Sequence, residues 1–101
     1  RLMAAVDAAF DGIDVLLTAN TMDPPCRIDD TAAHVRTQPR QARCPFNLTG
    51  HPALAMMCGL SRDRLPLSLQ FVGRNHDEAT LMRVAAGYER AAGWHLQHPI
   101  P

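Results

Sequence analysis

The chain contains no lysine, because all ten of its basic side chains are arginine. Serine is also scarce, with only Ser61 in a charged turn and Ser68 within a predicted strand. Any mechanism that needs a lysine as general base therefore cannot be completed within this chain. Two isolated serines likewise do not form a serine-rich catalytic segment.

Net charge and long apolar runs are absent as well. Equal numbers of acidic and basic residues give a formal net charge of +0, while 47% of the residues are hydrophobic. This balance is typical of a globular chain and predicts neither a nucleic-acid nor an anionic membrane partner. No apolar run approaches the roughly 18 residues of a membrane helix, and no signal segment is evident. We therefore expect a cytoplasmic protein of one domain at most.

The three cysteines, Cys26, Cys44 and Cys58, are odd in number and lack any C-x-x-C spacing. This pattern predicts reduced thiols rather than a disulfide framework. A zinc site would have to gather these cysteines with His34 or His51 from scattered positions, so we predict no metal and no cofactor. A reactive pair of Cys44 and His51 remains an alternative, although no third orienting group is evident.

Apolar spacing predicts a helix at the beginning of the chain, with Leu2, Val6 and Phe10 on one face and Gly12 at its end. Aliphatic residues then predict a strand over 13–18. Residues 20–45 carry mainly loop signals and predict a long irregular connection, with one short helical turn near 31–35. A loop of that length in a compact domain is usually functional or disordered.

The segment "FNLTGHPALAMMCGL" joins a polar bend to an apolar run over 53–60. We interpret the run as a central strand buried on both faces, and the bend as a turn at the edge of a pocket. After the turn "SRDR", "LPLSLQFVG" alternates in polarity and predicts the second strand of a hairpin, on which Gln70 would satisfy backbone groups. A covering helix follows, capped by Asn75 with Glu78 three residues later and ended by Gly93.

Four segments in this order resemble the C-terminal end of the amidase signature family, which includes the glutamyl-tRNA amidotransferase proteins of the A type. They read "FDGIDVLLT", "FNLTGHPALAMMCG", "LPLSLQFVGR" and "DEATLMRVAAGYERAAGWH". The resemblance implies an α/β fold in which residues 1–101 form the C-terminal portion of one incomplete domain. That portion would comprise a helix end, about three strands of a mixed sheet, a long loop and a covering helix.

The same resemblance implies a serine hydrolase that cleaves the C–N bond of carboxylic amides through a Ser, cis-Ser, Lys triad. No catalytic residue of that triad is identified in this chain. The expected partner is a small-molecule amide, and a homo-oligomer stays open. The rival hypothesis is a free-standing binding module derived from the same fold that has lost catalysis.

The resemblance also places Asn47 and Thr49 where the chain bends close to the substrate cavity. We therefore predict that both residues line the substrate pocket. The alternative from residue preferences alone is that Asn47 caps a short helical turn. Some family members carry an aspartate shortly before this asparagine, whereas "RQARCP" is basic here, which argues against capture of ammonia.

Overall fold

The computed structural model describes residues 1–98, so the last three residues of the predicted 1–101 portion lie outside the described residues. The chain contains both helices and strands, as expected for an α/β fold, with α2 and α3 in succession and β2 and β3 in succession. A single 3₁₀ turn follows the last helix. The elements are α1 (Leu2–Ala9), β1 (Val15–Ala19), α2 (Thr31–Thr37), α3 (Cys44–Thr49), β2 (Ala53–Leu60), β3 (Pro66–Gly73), α4 (Glu78–Ala92) and the 3₁₀ turn Trp94–Leu96.

The three strands form one antiparallel sheet in the order β1-β3-β2. β2 and β3 are the predicted hairpin. Among the described strands, β3 lies between its two neighbours and β2 lies at an edge, so the prediction that the apolar run of β2 is the central strand is wrong for this sheet. No residue of β2 is fully buried, whereas Val72 of β3 has no exposed surface. Apolar composition reports burial potential, but it does not report which strand has two neighbours.

Helix α4 covers one face of the sheet. Phe71 of β3 packs with Leu81 and Ala85 of the helix in one buried cluster. The ring of Tyr88 meets Phe71 edge to face at 5.6 Å between centroids. Its hydroxyl donates to the Met57 carbonyl oxygen over 3.0 Å, which joins the helix to both strands of the hairpin.

A second, smaller cluster lies on the opposite face of the sheet. Phe10 after α1, Phe46 of α3 and Val72 of β3 are its buried members, and Val6 and Leu16 pack against them. Side chains alternate between the faces of a strand, so adjacent Phe71 and Val72 serve different clusters. The core is therefore split into two small parts that share strand β3.

The predicted loop over 20–45 contains more helix than expected. The turn predicted near 31–35 is the start of α2, which continues to Thr37 and is capped by Asp30 accepting from the Ala33 backbone N–H over 2.8 Å. The chain then enters α3 at Cys44. Gly50 ends α3 with φ 75°, a left-handed conformation that glycine adopts without steric cost.

The predicted boundaries of the first helix and of α4 also shift. The first helix ends at Ala9 rather than at Gly12, and the strand after it begins at Val15 rather than at residue 13. The predicted cap Asn75 is wrong, because Asp77 accepts from the Thr80 backbone N–H over 3.2 Å. Asn75 and Asp77 are two positions apart and are both of a capping residue type, and only the geometry of the turn selects one.

The hydrogen bond with Thr80 is the largest of several effects that hold the pKa of the Asp77 carboxyl below its ordinary value of 3.8. A depressed carboxyl pKa stabilises the folded protein above the ordinary value and loses that contribution as the pH falls through the folded one. We expect Asp77→Asn, which keeps a capping oxygen, to flatten the acid side of the curve of unfolding free energy against pH. Equal curves for wild type and Asp77→Asn would contradict the assignment.

Much apolar surface stays exposed in residues 1–98. Helix α1 has no buried residue, and Leu17 of β1 is 63% exposed although it pairs with buried Phe71. Contiguous exposed apolar surface on a small chain usually marks a surface that another element covers. Among the described residues, no helix combines the length and apolar character needed to cross a membrane.

Candidate functional site

The two predicted pocket residues lie on the same short helix but in different surroundings. Asn47 is in the middle of α3 and exposed, so it caps nothing. Thr49 at the end of the helix is only 2% exposed. Helix α3 thus presents Asn47 outward and turns Thr49 into the protein.

The Thr49 hydroxyl belongs to a polar chain centred on His51. The Nδ1 atom of His51 lies 2.8 Å from the Thr49 hydroxyl oxygen, and its Nε2 lies 3.0 Å from a carboxylate oxygen of Asp7. The His51 side chain has no exposed surface, and its ring stacks on Phe10 with an interplanar angle of 8°. Both ring nitrogens of a buried histidine therefore have a partner, as buried polar groups require.

One tautomer of His51 satisfies both contacts. With the proton on Nε2, His51 donates to the Asp7 carboxylate and accepts the Thr49 O–H at Nδ1. The order Asp, His, Thr imitates a nucleophile triad, but the Thr49 hydroxyl is too buried for a substrate to reach. The structural effect of the three contacting side chains is to hold the segment after α3 against α1.

Further hydrogen bonds fasten the end of α1 to the sheet. Asn75 Nδ2 donates to the same Asp7 oxygen over 3.3 Å. The Arg74 guanidinium, directly after β3, donates to the backbone carbonyl oxygens of Phe10 and Ile13 over 3.0 and 2.7 Å. These polar contacts, together with the packing of Val6 against the cluster of Phe10, position α1.

On the face opposite α4, polar side chains continue along β1 and β3. Gln70 is 2% exposed, and its Nε2 donates to the Thr18 hydroxyl over 2.9 Å across the directly paired strands. Just beyond, Asn20 donates to the Ser68 hydroxyl oxygen over 3.2 Å. Gln70 therefore donates a hydrogen bond to a side chain, and not to the backbone groups that the sequence predicted.

Ser68 leads from this strip into a polar cleft of about 430 Å³ between the β1–α2 connection, α2, the start of α3 and the start of β3. A second cleft, of about 300 Å³, lies between β2 and the end of α4 and contains Tyr88 and Trp94. Neither Asn47 nor Thr49 lines either cleft.

The structure tests the two cysteine sites considered from the sequence, a reactive pair and a zinc site. Cys26 and Cys44 are exposed and Cys58 is half-buried, and all three are free thiols. The proposed pairing of Cys44 with His51 is wrong, because both His51 ring nitrogens contact Asp7 and Thr49. Within residues 1–98, no group of three or more side chains could hold a metal ion.

Sequence reasoning missed the structural role of His51. The local signal for this role is the position of His51, directly after the helix-ending Gly50 and before Pro52. Its acidic partner Asp7 is 44 residues away in the chain, and no local spacing indicates a contact over that separation.

Comparison with known proteins places this fold in a family: the chain belongs to the amidase family, whose model matches residues 1–82. The chain is 40% identical over 97 residues to the A-type component of the glutamyl-tRNA(Gln) amidotransferase of Chloroflexus aggregans, covering 92% of this chain and 19% of that protein. It is 39% identical over 97 residues to the same component in a Synechococcus species, with the same two coverages. The chain thus spans about a fifth of the length of these curated relatives.

Solved structures support the fold assignment. The structure of 6-aminohexanoate cyclic dimer hydrolase superposes with a TM-score of 0.83 over 96% of this chain and 23% of that one. The sequence identity is 23%, so this similarity concerns the fold alone. The predicted α/β class and the predicted family are both confirmed.

Proposed function

We propose that residues 1–101 are the C-terminal portion of an amide hydrolase whose catalytic residues lie outside this chain. The observation that carries the proposal is the combination of family membership with the absence of lysine. The triad implied by the resemblance needs a lysine base and a nucleophilic serine beside an oxyanion hole. Here the role of this portion is to complete the core and to form one wall of the substrate pocket.

The exposed apolar surface supports this assignment. Leu2, Met3 and Leu17 are about half exposed or more, and strand β2 has one free edge among the described strands. Since the relatives continue for about four fifths of their length beyond the match, the missing cover is proposed to be the rest of the same domain. A homo-oligomer would instead cover this surface with a second copy.

Helix α3 is the part that we assign to the pocket wall. Asn47 is exposed on it and offers an amide donor and an acceptor to a substrate. Thr49 is buried and would support this wall through its contact with His51. His51 in turn holds the wall against α1. The substrate class is a small carboxylic amide. A cytoplasmic location is part of the proposal, supported by an odd number of cysteines without disulfide spacing.

The proposal predicts that the full natural protein carrying this chain releases ammonia from simple aliphatic or aryl primary amides. Residues 1–101 alone should release none above the buffer rate. We expect Asn47→Ala to raise KM or lower kcat/KM by about tenfold, as for a lost substrate hydrogen bond, without changing the melting temperature. Leu48→Ala, at a neighbouring exposed position, is the matched control.

Two results would contradict the proposal. Hydrolysis by residues 1–101 alone would show that the catalytic groups are in this chain. A full natural protein without amidase activity, or one with no residues before Arg1, would favour the free-standing binding module. Unchanged kinetics of Asn47→Ala would remove α3 from the pocket wall and leave the hydrolase assignment intact.

A further inference from the structure

The polar cleft at the start of β3 has walls of restricted conformation. Pro24 and Pro25 line it from the β1–α2 connection and Pro66 lines it from the strand. Proline fixes the backbone φ angle, and a binding site that is already rigid loses less entropy when a ligand binds. The volume, about 430 Å³, falls within the usual range for small-molecule sites.

The charge in this cleft is unbalanced. Its single carboxylate, Asp23, is engaged by the Arg40 guanidinium over 2.6 Å. Arg43 and His34 also line the cleft, and within residues 1–98 neither forms an ion pair. Arg43 is therefore a cation in the described lining without a carboxylate partner, so the cleft favours an anion.

Some of the remaining polar groups in the cleft already have hydrogen-bond partners, and others are available to a ligand. The Thr21 and Thr37 hydroxyls donate to backbone carbonyl oxygens. Ser68 accepts from Asn20 and keeps its own O–H proton to donate. Gln41 contributes an acceptor, because its Oε1 is buried without a partner while its Nε2 donates to the Thr37 carbonyl oxygen over 3.3 Å. An amide oxygen can only accept, so Gln41 contributes nothing to the binding of an anion, and the available donors are Arg43 and Ser68.

A smaller cleft of about 170 Å³ shares six of its eight lining residues with the first, Asp23 and Ser68 among them, and adds Met22 and Leu67. Arg43 lines only the larger cleft, and the apolar side chains of Met22 and Leu67 line only the smaller one, while Asp23, already paired with Arg40, lines both. That division matches a molecule with one anionic group on a short aliphatic chain. A guanidinium binds a planar carboxylate through two parallel hydrogen bonds.

We propose that this pair of clefts is a binding site for a small aliphatic carboxylate, with Arg43 as the principal anchor and Ser68 as a second donor. Asn47 and Thr49 are not among its lining residues, and its occupation can be measured without amide hydrolysis. Arg43 suits a substitution test, because it precedes α3 without making a side-chain cap, so its replacement leaves the helix intact.

The experiment is calorimetric titration of the full natural protein with butyrate, butyramide and n-butylammonium. These probes share an aliphatic chain and differ in charge. We expect butyrate to bind, and the neutral and cationic probes to bind at least fivefold more weakly. Arg43→Gln should weaken butyrate at least fivefold, whereas Arg62→Gln, an exposed arginine in the β2–β3 turn, should leave its affinity unchanged.

Melting temperatures of both variants verify that they are folded. No butyrate binding to the full protein, equal binding of butyramide, or a loss below fivefold in folded Arg43→Gln would each overturn the proposal. Because the readout is binding and not turnover, a failure here leaves the hydrolase assignment untouched. Absence of amidase activity likewise leaves this site untouched.

Discussion

Replacing Val72 by aspartate is expected to abolish folding. Val72 lies on the central strand β3 and has no exposed surface, so Val72→Asp places a carboxylate between Phe10 and Phe46 without a partner. An unpaired buried charge costs several kcal/mol even after its pKa adjusts, which is comparable to the entire stability of a small domain. The expected result is insoluble protein, or a chain without a cooperative unfolding transition.

The matched control introduces the same charge at a position that the fold leaves open. Met82 on α4 is 59% exposed, so Met82→Asp should stay folded and lose little stability. Circular dichroism and thermal unfolding of the full natural protein measure both variants. A cooperative transition for Val72→Asp within a few degrees of wild type would show that β3 is not the centre of the core.

The second large effect is expected for His51→Ala. The change removes a fully buried ring that stacks on Phe10 and leaves the Thr49 hydroxyl and Asp7 without their shared partner. Loss of a buried hydrogen-bonded group and the resulting cavity together cost about 2 to 4 kcal/mol. Chemical denaturation should show this loss, and hydrogen exchange should show the greatest loss of protection near α1 and the end of α3.

His98→Ala is the control, because His98 is exposed. If His51→Ala were as stable as His98→Ala, the chain Asp7, His51, Thr49 would not fasten α1. Thr49→Val, which keeps the shape of the side chain and removes the hydroxyl, should lose less than His51→Ala. A larger loss of stability for Thr49→Val than for His51→Ala would instead show that the Thr49 hydroxyl, and not the His51 ring, is the centre of the contact.

Local sequence signals predicted the hairpin and the covering helix well. The alternation of Leu69 and Phe71 with Ser68 and Gln70, and the left-handed Gly93 at the end of α4, are features of neighbouring residues. They depend on side-chain period and backbone preference, which a single sequence records directly. The family resemblance added the order of elements, which local patterns do not specify.

The predictions that were wrong or missing concern contacts between distant parts of the chain. The central position of β3 follows from its pairing with β1, which joins Val15 to Gly73, and no alternation in β3 indicates that partner. The Asp7 to His51 contact is equally remote. For the candidate pocket wall, the sequence located α3 as a bend but did not show that Asn47 points outward while Thr49 is buried. The direction of a helix face depends on the elements packed against it.

The strand order also has a consequence for synthesis of the chain. Among the described strands, β1 pairs only with β3, although its residues Val15–Ala19 are translated some fifty positions before Gly73. At typical translation speeds, roughly 3 to 10 s pass between the two events. During that interval β1 lacks its partner β3 beside the exposed apolar residues of α1, so this part of the sheet can form only after the hairpin has been synthesised.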